Sequence, residues 1–160
     1  MKAQIERALL DNYEKYYRVA YSYVRNEQDA LDVVQDSAYK AIKNWRKVKE
    51  PQYIETWIYR IVTNTALNLL KKQKNISSYE ENLPSLPQEQ ESFSHRDEVL
   101  SLLDHLDETE RTILILRFFE ELKIDQIARI IQENPNTTKS RLYRALQKLR
   151  KYIDTSHLAY

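Results

Sequence analysis

The stretch NTTKSRLYRALQKLRKY, residues 136–152, carries Lys139, Arg141, Arg144, Lys148, Arg150 and Lys151 and no acid. Cations at this density can neutralise phosphates, release counterions and present donors to base edges. A solvated, lysine-rich helix end would carry the same charges without that role. Spacing helps to separate the two readings. At about 100° per residue from Lys139, the residues Leu142, Leu146, Leu149 and Ile153 fall between roughly 280° and 340°, one apolar stripe. Lys139, Ser140, Tyr143, Arg144 and Gln147 fall together on another face, within roughly 140° of arc. A merely solvated face more often alternates Lys with Glu as i,i+4 support. This one mixes cations, a hydroxyl, an amide and an aromatic ring, the groups that read a major groove. Lys139 and Arg144 can reach bases or phosphates, with Arg141 toward the backbone side. Backbone N–H groups near Asn136 and Ser140 favour phosphate.

A second acid-free run, WIYRIVTNTALNLLKKQKN, spans residues 57–75. Its period puts Ile54, Ile58, Ile61 and Leu69 on one side of a helix and Trp57, Arg60, Asn64 and Lys71 on another. Tryptophan beside Arg and Asn reads in two ways. It is a core-edge residue with polar neighbours, or a platform on which unstacked bases lie while cations follow the strand.

Catalytic chemistry finds no support. The chain has no Cys and its three histidines, His95, His105 and His157, stand far apart, without metal-ligand spacing. The close acids Glu120-Glu121 and Asp104/Asp107/Glu108 read as solvated helix ends. There is also no Gly, so a phosphate-cradling loop or Rossmann turn is excluded. No cofactor, metal or small-molecule substrate is expected.

The elements that position these faces follow from composition. A glycine-free chain of 160 residues, 42% hydrophobic and rich in helix formers, has enough apolar residues for a core and should be all-α. Apolar spacing predicts a helix over 5–23. Asn26, with Asp29 three residues on, caps a second helix through about Trp45. After the loop RKVKEPQ, Pro51 opens a third helix that runs to about Lys74. Residues 75–95 then hold two prolines, five serines and several Glu and Gln without a period, which reads as a flexible linker. Asp107 and Glu110 form a capping box before RTILILRFFEE, KIDQIARIIQ follows, and a break at ENPN leads into the basic helix. Helix–turn–helix and an ordinary αα-hairpin share that outline. The N-terminus has no apolar signal region and no run approaches a membrane span, so a soluble, cytoplasmic protein is expected.

The formal net charge is only +1, yet residues 76–125 hold thirteen acids against four bases, a net of −9. Two basic ends therefore flank an acidic middle, which resolves the contrast between a neutral chain and a basic last helix. An acidic linker suits a positive channel, or keeps free protein off DNA.

Assembled in this order, the segments resemble an extracytoplasmic-function (ECF) sigma factor of bacterial RNA polymerase. DALDVVQDSAYKAI (29–42) resembles region 2.2, YIETWIYRIVTNTALNLLKK (53–72) regions 2.3 and 2.4, and residues 106–150 region 4. The resemblance implies two helical domains, 1–74 and 96–160, joined by the linker 75–95. It further implies docking on core RNA polymerase, at the β′ clamp helices and β flap. On this chain the core-binding positions are Asp29, Asp32, Val33, Gln35 and Asp36, with Val34 in a mixed packing and contact role. The loop from about Asn44 to Thr56 would hold a flipped −10 base, and Trp57, Arg60, Asn64 and Lys71 would handle the −10 element. Thr138, Lys139, Ser140, Arg141, Tyr143 and Arg144 match the −35 recognition positions. Two departures stand out: Gln132 occupies the place of the usual turn glycine, and Thr138 that of an aliphatic residue. Regulation would fall to a separate anti-sigma factor, membrane-bound or soluble. The competing reading is a free-standing helix-turn-helix repressor or activator that dimerises through its N-terminal helices. An interaction adaptor whose basic helices dock on acidic proteins is a third.

Overall fold

The computed structural model describes residues 1–80 and 95–158, with side chains for 1–76 and 97–154. Eight α-helices follow in order: α1 Lys2–Asp11, α2 Tyr13–Val24, α3 Glu27–Lys43, α4 Ile54–Glu80, α5 His95–Leu102, α6 Glu108–Leu114, α7 Ile124–Ile131 and α8 Pro135–Leu158. No strand occurs among the described residues. Helices α1–α4 form the first domain, in which α2, α3 and α4 pack on one another. Helices α5–α8 form the second, with α8 against α6 and α7.

Local chemistry sets most boundaries. Asn26 caps α3, its side chain accepting from the Asp29 N–H at 2.8 Å. Asp107 caps α6 by accepting from the Glu110 N–H, while the Glu110 carboxylate accepts from the Asp107 N–H, a complete capping box. Asp107→Ala should therefore lower stability by about 1 kcal/mol in urea unfolding. An unchanged midpoint would show the box to be dispensable.

Two helical spans differ from the pattern-based expectation. The first helix breaks at Asn12 into α1 and α2, both of which pack on α3 and α4. Helix α4 continues past Lys74 to Glu80, so the start of the expected linker is helical. Residues 81–94, the rest of that linker, lie outside the described residues.

A chain without glycine must still turn left-handed to end its helices. Arg25, Glu121 and Gln132 do so, with φ of 57°, 55° and 58°. Gln132 closes α7 in a Schellman-type turn in which the Glu133 N–H donates to the Ala128 carbonyl at 3.0 Å. A residue with a Cβ is disfavoured there by about 1–2 kcal/mol. Gln132→Gly should therefore raise unfolding stability by roughly 0.5–1 kcal/mol, after the loss of unfolded-chain stiffness. A lower midpoint in thermal unfolding would contradict this account of the turn.

The two domains share an interface. Arg18 of α2 makes a two-pronged contact to Glu120, at 3.0 and 3.4 Å, and the Tyr59 hydroxyl lies 3.5 Å from the same carboxylate. Burial and the Glu120 charge push the Tyr59 hydroxyl well above its ordinary range, so it stays protonated as a donor. The Tyr23 and Thr112 hydroxyls share a buried hydrogen bond. Arg111 donates to the Tyr23 carbonyl and stacks over its ring, while Asp104 pairs with Arg25. Glu120 thus corrects the expectation of a solvated helix end: its side chain is 1% exposed. A π-helical segment, Ile115–Phe119, followed by left-handed Glu121, swings it inward.

Candidate nucleic-acid interface

Helix α8 starts where Asn134 accepts from the Asn136 N–H at 2.8 Å, with Pro135 in the first helical position. Leu142 and Ala145 are buried against the second domain, with Leu146 and Leu149 at the margin. On the opposite side Lys139, Ser140, Tyr143, Arg144 and Gln147 are all exposed, and the Lys139 ammonium lies 6.0 Å from the Tyr143 ring centre. The helical wheel therefore separates Leu142, Leu146 and Leu149 from an open, acid-free face, while Ile153, expected in the same apolar stripe, is exposed.

Three basic-helix residues behave differently from their expected roles. Thr138 is fully buried, and its hydroxyl donates to the Asn134 carbonyl at 3.0 Å. It cannot touch DNA from that position. Its place on the wheel, at roughly 260°, is the signal that it belongs beside the leucine stripe. Arg141 is held by Glu133 at 2.7 Å, bracing the turn before α8. Lys148 reaches back to Glu110, a buried capping-box carboxylate, also at 2.7 Å. So two of the six cations tie the domain together, while Lys139 and Arg144 stand on the open face.

On α4, Trp57 is half-buried: one side packs on the core and the other borders an open concavity of about 270 Å³. Arg60 and Asn64 line the same concavity. Lys40, Asn44 and Lys47 complete its rim, two cations that the sequence reading left out. The available signal was Lys40 lying at i+4 from Asp36, on the α3 side that meets α4, where its ammonium contacts the Thr65 hydroxyl at 3.2 Å. Lys71 sits elsewhere, in a groove between α3 and α4, and pairs with Glu108 at 3.5 Å.

Helix α3 divides as sharply as α8. Asp32, Gln35 and Asp36 are exposed, with Asp36 3.1 Å from Lys40. Asp29 is half-buried and occupied internally, accepting from Asn26 and Gln73 side chains at 2.9 and 2.7 Å. Val33 and Val34 are 1% and 6% exposed, so Val33 is a core residue and offers no contact to a partner. Its register with Ala30, Ser37 and Ala41 at helical spacing accounts for this.

Two family models match the chain in sequence order, Sigma-70 region 2 over residues 9–76 and Sigma-70, region 4 over residues 96–149. RNA polymerase sigma factor SigV of Bacillus subtilis (strain 168) is 42% identical over 159 residues, covering 99% of this chain and 96% of the relative. The chain belongs to the sigma-70 family, in its ECF branch. The ECF RNA polymerase sigma factor SigW of the same organism is 24% identical over 88% of this chain and 83% of its own length. Two solved structures share the fold. The sigma factor RpoE in complex with the anti-sigma factor NepR, from Bartonella quintana, aligns with a TM-score of 0.71 at 21% identity, covering 93% of this chain and 96% of that one. CnrH in complex with the cytosolic domain of CnrY aligns at 0.72 and 20% identity, covering 94% and 88%. This sigma factor therefore binds core RNA polymerase and promoter DNA and directs promoter-specific initiation. A free-standing repressor or activator is not favoured, since both sigma regions are matched in order.

Proposed function

We propose a division of labour within this sigma factor. The first domain, 1–74, docks through the exposed Asp32, Gln35 and Asp36 on the β′ clamp helices, with Asp29 fixing the start of that helix. Its other face takes the −10 element: Trp57 supports an unstacked base, Arg60 and Asn64 line the concavity, and Lys40 and Lys47 add positive charge along the strand. The linker 75–95 leads to the second domain, 96–160, which meets the β flap and carries the −35 reader. There Lys139, Ser140, Tyr143 and Arg144 face the major groove, while Arg141 and the buried Thr138 hold the helix in place.

The single observation that carries this reading is the exposed, acid-free face of α8, opposite the side on which Leu142 and Ala145 are buried. The protein works by binding alone, with no catalytic group, and in the cytoplasm, where the polymerase is. Among the described residues no helix is long and apolar enough to cross a membrane. RpoE and CnrH both stand in complexes with separate chains, NepR and the cytosolic domain of CnrY. A separate anti-sigma factor, soluble or membrane-bound with a cytosolic segment, is the corresponding partner here.

Tethered DNA cleavage tests the division directly, because the chain has no native cysteine to compete for the reagent. An iron chelate on Ser140→Cys should cut holoenzyme-bound promoter DNA near −35, and one on Asn64→Cys should cut near −10. Cleavage by both at one place would overturn the assignment.

A further inference from the structure

Two ion pairs grip helix α8 along one line. Arg141 meets Glu133 at 2.7 Å, and Lys148 meets Glu110, also at 2.7 Å. At about 100° per residue from Lys139, these two cations fall near 200° and 180°, on one border between the packed side and the open face. The contacts are therefore about 10 Å apart along the helix axis. Lys139, Arg144 and Arg150, elsewhere on the helix, make no ion pair among the described residues. Both acids are themselves fixed by hydrogen bonds at helix ends. The Glu110 carboxylate, 3% exposed, also accepts from the Asp107 N–H in the capping box of α6. Glu133 follows left-handed Gln132, and its N–H donates to the Ala128 carbonyl in the turn that closes α7. One edge of α8 is thus pinned to two different helices. Apolar packing alone would leave it freer, because such packing is non-directional and Leu146 and Leu149 are only half-buried. A roll of about 15° moves a side chain at the helix rim by about 1.5 Å. Binding constellations tolerate about 0.5 Å.

We infer that Glu110–Lys148 and Glu133–Arg141 are positioning pairs that set the roll of α8. Through that roll they fix the angle at which Lys139, Ser140, Tyr143 and Arg144 meet the −35 bases. The functional half rests on the −35 reading of that face; the control of roll does not. None of the four paired residues touches a base in this role. Loosening the pairs therefore blurs base preference while the charge of the open face stays intact. A residue that merely stabilised the domain would change activity on every promoter alike.

Two sets of substitutions loosen the pairs without stranding a buried charge. Glu110→Gln/Lys148→Met keeps the capping box, since glutamine serves at that position, and leaves the net charge unchanged. Glu133→Ala frees Arg141 and keeps the backbone bond to Ala128. Spin labels on Asp125→Cys of α7 and Arg150→Cys of α8, both exposed, report the roll in the full chain, which has no native cysteine. The distance distribution should broaden in each variant and most in the combined one. The second readout is competition, in the holoenzyme, between a matched promoter and one with a single −35 substitution. A mismatch that costs the unsubstituted protein about tenfold should cost the combined variant only about threefold. Glu133→Ala carries the same comparison alone if the combined variant does not fold. An unbroadened distribution would overturn the positioning pairs. So would an unchanged preference where Arg144→Ala still alters preference on the same promoters. If Arg144→Ala alters nothing either, the −35 reading of α8 falls, and the distance distribution alone decides whether the pairs set the roll.

Discussion

Replacing Asp32 and Asp36 together by lysine is expected to weaken binding of core polymerase by several kcal/mol, with helicity and unfolding midpoint nearly unchanged. Both carboxylates are exposed. The one internal contact recorded for this pair, Asp36 with Lys40 across one helical turn, is itself exposed and contributes only a few tenths of a kcal/mol. Reversal leaves the fold its core stripe of Ala30, Val33, Val34, Ser37 and Ala41 and inverts the charge of the face proposed to dock. Asp29→Lys is the informative contrast. It breaks the Asn26 and Gln73 contacts, so its loss of core binding should come with a lower melting temperature. Titration of labelled protein with core polymerase, beside circular dichroism, separates the two. Retained affinity in the Asp32/Asp36 variant would remove α3 as the docking helix.

The second large effect belongs to Arg144. Its exposed position on the face shared with Lys139, Ser140 and Tyr143 predicts a base or phosphate contact. Arg144→Ala should cost about 1–3 kcal/mol of promoter binding if the guanidinium pairs bidentately with a base edge. That loss should shrink on a promoter already altered at the contacted −35 position. Lys151→Ala should instead flatten the salt dependence and leave promoter preference alone, as a peripheral cation acts through counterion release. Thr138→Val supplies the buried control: it removes only the hydroxyl contact to the Asn134 carbonyl, which keeps its bond from the Thr138 N–H, so promoter preference should not change. Transcription from matched and −35-substituted promoters at two salt concentrations measures all three. Equal losses on both promoters in Arg144→Ala would make it a backbone-positioning residue.

Short-range hydrogen bonding and helical period were legible in the sequence. Asn26–Asp29 and Asp107–Glu110 cap their helices because each pair closes within one turn, whatever the rest of the chain does. The packed stripe of α8 follows from its leucines alone. Thr138 and Val33 were misplaced as contact residues when motif position was weighed above the period, which puts both on buried faces. The turn at Gln132 was legible only as a missing glycine; that glutamine itself goes left-handed follows from the Schellman bond and the capping of α8 by Asn134 two residues on. The domain interface could not be read. Arg18 and Glu120 lie 102 residues apart, and no local pattern marks a glutamate that a π-helical segment turns inward.

Promoter-dependent initiation is the central claim, and transcription of genomic DNA in vitro with sequencing of the RNA 5′ ends tests it most directly. Core polymerase with this protein should start at a defined set of sites sharing a two-part upstream sequence, and neither component alone should do so. Asp32→Lys/Asp36→Lys should abolish those starts and Arg144→Ala should reorder them by their −35 sequence. Starts that are the same with and without the protein, or specific protection of a two-fold symmetric site by the protein alone, would contradict the account.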